Sequence, residues 1–341
     1  MRKGYKYRGG IGQFDKDGQS ILHRDIATLV SNKIYLPLKD ELNDPAEGIF
    51  NDDSIYAFLH SHKVHSALVE KCYNDIIAKI RSMGIYSLAG NVSNELLWAH
   101  YASGHTGFAI EYDIDGLKKS LNFNKYFQKV FDLEISYVDK VPTLTMMDLP
   151  PHGNLERILK KCIGTKSKVW KYEEEIRLAF DAHGLFDIDY RAITGIYFGY
   201  RMEEPEIEYI MEQMKGRGLS YYKMELDKNS YRFTPVKIKD KFPEADKYVA
   251  NVVDYNIDDL MICGMLSDDE KALYRESFIQ AIESIKNDPN VESFYLATVM
   301  SDREVPILKI CAYTVIGIPP VKFFHFRVND SGEVYPVDYV E

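Results

Sequence analysis

Glu173, Glu175 and Arg177 stand at alternate positions in the segment Trp170-Lys-Tyr-Glu-Glu-Glu-Ile-Arg177. Read as part of a strand over 169–180, they share one face, with the two carboxylates about 7 Å apart. Trp170, Tyr172, Ile176, Leu178 and Phe180 then make the core face. Paired carboxylates beside a guanidinium can move protons or stabilise a developing cation. The plain alternative is a solvated strand face with cross-strand ion pairs.

A second chemical segment runs from Leu97 to Tyr112 and carries Trp98, His100, Tyr101, His105 and Glu111. A strand over 107–112 turns Phe108, Ile110 and Tyr112 inward. It leaves Gly107, Ala109 and Glu111 on the other face, where small side chains give a ligand room to approach Glu111. His100 and His105 are candidate acid–base groups, or capped structural histidines. Upstream, Tyr5-Lys-Tyr7-Arg8 alternates like a short strand, and Asn43-Asp44-Pro45 is a turn in which Pro45 keeps Asp44 out of the helical region. The run His60-Ser-His62-Lys-Val-His65 looks metal-like, but only the 62/65 pair would share a helix face and no carboxylate completes a site, so no metal is expected. Gly9-Gly10-Ile-Gly12 falls short of a dinucleotide fingerprint, and there is no P-loop, G-x-S-x-G or H-E-x-x-H.

The chain that must position these groups has 341 residues, 45% hydrophobic and 28% charged, the balance of a folded protein that needs no disulfide or metal staple. Its net charge of −10 opposes binding along an extended nucleic acid. Cys72, Cys162, Cys263 and Cys311 are far apart, which reads as free thiols in a reducing compartment. No stretch approaches a membrane span, so a cytoplasmic protein is expected.

Periodicity predicts helices over 21–30, 54–82, about 91–104, 154–168, 203–215 and 267–286, the last opened by the capping box Ser267-Asp-Asp-Glu270. Strands are expected over 4–8, 34–36, 85–88, 107–112, 128–138, 169–180 and 193–199, with a hairpin over 221–226 and 231–238. Four more follow over 292–300, 306–316, 321–328 and 333–340. The fold class is α+β: a mixed, mainly antiparallel sheet with flanking helices, plus a strand-rich C-terminal appendage. The expected division is 1–240, with the candidate site, and 241–341, an appendage that could offer a surface to a protein partner.

Taken in order, Tyr5-Lys-Tyr7-Arg8, Leu42-Asn43-Asp44-Pro45, Trp98-x-x-Tyr101 with Gly107-Phe-Ala-Ile-Glu111-Tyr, and Trp170-x-Tyr172-Glu173-x-Glu175-x-Arg177 resemble the bacterial family called domain of unknown function 2971. Ile196-Tyr-Phe-Gly199 fits its pattern too, so the likeness runs over roughly residues 1–240. Ala46 departs from it, since the family commonly has Phe there, and this implies local repacking. The resemblance implies an accessory or effector protein of the kind found near mobile-element and phage-defence loci.

An Arg-bearing first strand, a central aromatic and His segment and a late Glu-x-Glu strand are also similar in order to several ADP-ribosyltransferase families. On that reading NAD is the co-substrate: Glu175 stabilises an oxocarbenium-like centre, Glu173 orients or deprotonates the acceptor, Arg8 forks onto the pyrophosphate and Trp98 or Tyr101 stacks on nicotinamide. Arg177, His100 and Glu111 complete the catalytic candidates; Tyr7, Asn43, Asp44 and His105 complete the binding ones. Two other readings stay open. One is a hydrolase or nuclease in which Glu111, Glu173 and Glu175 hold a divalent cation and His100 or His105 is the base. The other is a sensor or interaction protein whose charged cluster is structural.

Overall fold

The structure, a computed structural model, describes residues 2–9, 12–15, 17–61, 66–122, 130–250, 253–300, 306–314 and 321–338. The chain divides into two compact units, one built from the chain up to Leu121 and then on to Asp246, the other from Lys247 onward.

In the first unit, β1 (Lys3–Arg8) is followed by α1 (Ile21–Val30) and β2 (Lys33–Leu36). The expected long helix over 54–82 is described as α2 (Asp53–Ser61) and α3 (Ser66–Arg81); His62 and His65 lie outside the described residues. Then come β3 (Gly84–Ala89), α4 (Glu95–Tyr101), β4 (Phe108–Asp113), α5 (Ile114–Asn122), β5 (Val130–Glu134), β6 (Ser136–Val138), α6 (Leu155–Cys162) and β7 (Thr165–Ser167). The strand expected over 169–180 begins only at Glu175: Lys168–Glu173 is a 3-10 turn, after which β8 runs Glu175–Phe180. The unit closes with β9 (Gly184–Asp187), β10 (Ile193–Phe198), α7 (Glu204–Gln213), β11 (Ser220–Leu226) and β12 (Phe233–Ile238).

The main sheet has eight strands in the order β12-β11-β10-β4-β1-β3-β8-β5. All its pairings are antiparallel except β10 with β11, so it is mixed and mainly antiparallel. One face buries Leu88, Phe108, Ile110, Tyr112, Leu178 and Phe180 under apolar residues of α1, α5 and α7. The alternate residues point the other way and feed two separate apolar clusters. Around α4, Leu97 and Trp98 pack on Tyr7, Ala89, Ala109 and Tyr197. Around α2, α3 and α6, Ile55, Ile77 and Ile158 pack with Ile85, Leu133 and Ala179. Glu175 and Arg177 lie on β8 in the seam between these clusters, opposite Ala89 and Ser87 in the register.

The sheet is incompletely closed at its centre. β1 makes six partner pairs with β4, and β3 makes six with β8, but β1 meets β3 at the single pair Tyr5↔Ala89. Beyond that pair Ile85 N donates to Pro37 O at 2.8 Å, and the Lys6 side chain, not a backbone amide, donates to Ser87 O at 2.9 Å.

The second unit holds α8 (Ile257–Cys263) and α9 (Asp268–Ile285), followed by β13 (Val291–Met300), β14 (Ile307–Thr314), β15 (Val321–Val328) and β16 (Val334–Pro336). These strands form an antiparallel sheet in sequence order. Ser267 and Glu270 make the reciprocal capping box that opens α9. Among the described residues, no helix is long and apolar enough to cross a membrane.

The corner that carries α4 into β4 depends on one glycine. A Cβ on Gly107 would lie 2.2 Å from Arg8 O and 2.9 Å from Gly9 Cα, both backbone atoms with little freedom to yield. Gly107→Ala should therefore destabilise the first unit by about 1–3 kcal/mol, seen as a lower midpoint in denaturant unfolding. An unchanged midpoint would show that the corner can widen.

Candidate functional site

A cavity of ≈ 500 Å³ opens where β1 and β3 part, lined by residues of β1, α1, β3, α4, the 41–47 turn, β7 and β8. Side chains from both faces of the sheet reach it because the sheet itself is open there. Tyr5 and Tyr7 come from the α4 side. Arg8 is on the α1 side, where it lies 3.7 Å from Asp25.

One wall is a chain of buried charges. Arg177 is fully buried; its guanidinium grips Glu47 at 2.5 and 3.0 Å, donates to Glu175 Oε1 at 2.8 Å and to Ile163 O at 2.6 Å. Lys166 Nζ then bridges Glu175 Oε2 at 3.2 Å and Glu173 Oε2 at 2.5 Å. The other oxygen of Glu173 accepts from the Tyr101 hydroxyl at 2.8 Å.

Local chemistry explains each placement. Asp44 caps its own turn, accepting from Ala46 N through Oδ1 and from Glu47 N through its carbonyl, and this delivers Glu47 to Arg177. Glu174 takes a left-handed conformation (φ 45°), with Gly90 N donating to its carbonyl at 2.9 Å. That kink lets Glu173 and Glu175 converge on one lysine although only Glu175 is on a strand. A non-glycine residue held at positive φ costs about 1–2 kcal/mol, offset here by the contacts on either side.

The electrostatics follow burial and partners. Burial alone would raise the Glu175 carboxyl, but Arg177 and Lys166 hold it below the usual carboxylate range. Burial works against the charge on Lys166 as well, and Glu175 and Glu173 outweigh it, raising the ammonium. Burial and the Glu173 charge push the Tyr101 phenol up, so it remains a hydrogen-bond donor. Lys6 is the opposite case: burial, with Arg8 beside it, pushes its ammonium down to about 7, against the opposing pull of Glu175 and Asp25.

The expected residues divide sharply. Tyr7, Arg8, Asn43, Asp44, Tyr101, Glu173, Glu175 and Arg177 all line the cavity. Trp98, His100, His105 and Glu111 are not among its lining residues. Trp98 is fully buried, donates from its indole to Val92 O at 2.7 Å and meets Tyr7 edge-on, so it supports the wall from behind instead of stacking on a ligand. His100 is exposed on α4. His105 packs its ring on Phe233, and its carbonyl accepts from Arg201 N, which ties the α4–β4 corner to the chain after β10.

Glu111 is buried in a separate cluster, accepting from Tyr197 at 2.6 Å, Thr194 at 2.7 Å and Tyr5 at 3.3 Å and pairing with Lys3 at 3.0 Å. It therefore does not join Glu173 and Glu175 around a shared cation. Lys166 already stands between those two carboxylates, and among the described residues no three His, Cys, Asp or Glu side chains gather where they could hold a metal ion.

Sequence reasoning missed Glu47, Lys166, Lys6 and the Arg24–Asp25 pair. For Glu47 the signal was its place three residues after the turn-forming Asp44. Lys166 carried none, because the helix expected through 168 hid the bend after Cys162 that turns it inward.

A mixed, mainly antiparallel sheet with a charged cavity where β1 and β3 part defines an α+β protein. Within it, residues 97–178 match a family described as protein of unknown function (DUF2971). The resemblance expected from the motifs is thus shown over the stretch from just before Trp98 to just after Arg177, while Tyr7, Arg8, Asn43 and Asp44 lie outside the match. No curated protein and no solved structure matches the chain.

Removing the Arg177 guanidinium would strand Glu47 without a partner and leave Glu175 with Lys166 as its one remaining ion-pair partner among the described residues. Arg177→Ala should cost about 3–5 kcal/mol, and Arg177→Lys should recover only part of it because one ammonium cannot reproduce the fork. Equal stability of Arg177→Lys and wild type in denaturant melts would refute that geometry.

Lys6 gives a pH signature. An unfolded chain keeps that proton up to 10.5, whereas folded Lys6 sheds it at about 7. The unfolded state therefore binds more protons between those values, and this group makes stability climb as pH rises through that window. The stability of Lys6→Met minus that of wild type should accordingly fall from about pH 7 upward. A difference that is flat with pH would mean that Lys6 titrates as an ordinary lysine.

Proposed function

We propose that the cavity binds a nucleotide-class ligand, NAD first among them, and cleaves the bond between ribose and nicotinamide, transferring the ADP-ribosyl group to water or to an acceptor. The observation that carries this reading is the segregation of charge along the cavity wall. Lys6, Arg8 and Arg24 are set against Asp25 on the β1–α1 side, while Glu47, Glu173 and Glu175 outnumber Lys166 and Arg177 on the β8 side, and the turn before α2 adds the carboxylates of Glu41 and Asp44. A ligand with an anionic pyrophosphate at one end and a cationic pyridinium at the other meets complementary charge at both. A volume of ≈ 500 Å³ suits a ligand of that class.

Breaking the glycosidic bond sends its electron pair out with nicotinamide and leaves positive charge on the ribose carbon, which a fixed carboxylate stabilises. Glu173 suits that task better than Glu175. Its side chain is 8% exposed against 3%, and Tyr101 anchors one of its oxygens. Glu175, clamped between Arg177 and Lys166, is the positioning residue. On this reading Arg8 takes the pyrophosphate, and Tyr5, Tyr7 and Tyr101, which line the cavity, offer aromatic surface.

The test is nicotinamide release from NAD by the purified chain, with and without chelator. Glu173→Gln should lower kcat by about 10²–10³, and Arg8→Ala should mainly raise KM. Chelator-sensitive release would instead favour metal-assisted hydrolysis. Failure of NAD to bind at all would overturn the reading.

NAD binding without turnover would favour a sensor, a reading supported by the mutual saturation of the Glu47–Arg177–Glu175–Lys166–Glu173 chain. An effector role in a bacterial cytoplasm, including phage defence, requires that cells expressing wild type lose NAD while those expressing Glu173→Gln do not.

A further inference from the structure

The cavity wall carries a primary amine that glycosidic cleavage does not use for chemistry. Lys6 lies where β1 leaves β3; its Nζ donates to Ser87 O at 2.9 Å and stands 4.9 Å from the centre of the Tyr86 ring. Among the described residues Lys6 makes no ion pair, whereas the other cavity lysine, Lys166, is held by two carboxylates. Arg8 and Arg24 line the same wall, sharing Asp25 between them at 3.7 and 3.1 Å.

An amine in a cleft, beside guanidinium groups and without its own carboxylate, is in the surroundings that favour its neutral, nucleophilic form. We propose that Lys6 is a covalent binding site for phosphorylated aldehydes, including ring-opened sugar phosphates, with Arg8 and Arg24 receiving the phosphate. The lone pair of Nζ adds to the aldehyde carbon, and the carbonyl oxygen takes a proton to give a carbinolamine. Loss of that hydroxyl as water, with the remaining nitrogen proton, leaves a carbon–nitrogen double bond. Nothing is oxidised or reduced, and water reverses the step. This inference does not rest on NAD cleavage, since imine formation requires neither Glu173 nor a glycosidic bond.

Pyridoxal 5′-phosphate is the probe. The full chain is incubated with it at mildly alkaline pH, the imine is trapped with borohydride, and the labelled lysines are mapped by peptide mass spectrometry. With its ammonium down to about 7, Lys6 should label at least about tenfold faster than a typical exposed lysine. Pyridoxal, which lacks the phosphate, should label it more slowly. Lys6→Arg should lose the fast adduct, and Glu173→Gln should keep it, which separates this site from the glycosidic reading. Label spread over surface lysines with Lys6 no faster than the rest would overturn the proposal. So would equal rates at Lys6 with pyridoxal and its phosphate. Both readouts come from the wild-type chain, so they hold even if Lys6→Arg misfolds.

Discussion

The first unit is organised around the complete burial of one guanidinium. Taking Arg177 out of water costs several kcal/mol even after relaxation, and that cost is offset only when partners from distant segments arrive together. Glu47 comes from the turn before α2, Ile163 O from the end of α6, and Glu175 from two residues along the same strand. None of these segments can shift without leaving charge unpaired in the seam between two apolar clusters. Such a network is weak evidence for net stability, because apolar side chains of the same volume often do as well. Its consequence is specificity of arrangement: Lys166, Glu173 and Tyr101 inherit fixed positions from a residue that never reaches solvent.

The second constraint is the parting of β1 and β3. A sheet that closed fully there would pair Lys6 to Arg8 with the strand beside them and leave no space. Instead the backbone demand is met from outside the ladder, by Pro37 O and by the Lys6 side chain. The cavity is therefore a gap within a sheet, walled by strands whose other edges are fully paired. Rigid walls of this kind preorganise polar groups and lower the reorganisation a ligand must cause on binding.

Much of this was legible in the residues, and the failures have physical causes. Alternation over Phe108–Tyr112 is legible as a strand with one inward face; in the structure both faces are buried, one set of side chains meeting α1 and α5 and the other α4. The capping box at Ser267 names its helix because both halves of the interaction lie within four residues. Lys168–Glu173 misleads for the opposite reason. Its period fits a strand, but Asn94 binds Tyr172 O and Gly90 binds Glu174 O, and these tertiary contacts bend it into a turn. Glu111 misled through chemistry: small neighbours on its face suggested an open approach, yet Tyr5 and Tyr197 from adjacent strands fill that space.

What unites the site is that its charges were placed to constrain one another before any ligand is considered. In a water-poor gap, an unpaired charge is expensive and a paired one is inert. A useful group must therefore be only partly satisfied. Arg177 and Glu175 are saturated and set the frame. Glu173 keeps the greater exposure of the two carboxylates on Lys166, and its phenol partner stays protonated. Lys6 has a carbonyl and a ring for company and makes no ion pair among the described residues, so burial outweighs the pull of Glu175 and Asp25 on its proton. The gradient from saturated to under-satisfied groups runs from the β8 seam toward the β1–β3 gap, and it is at the under-satisfied end that a ligand has most to gain.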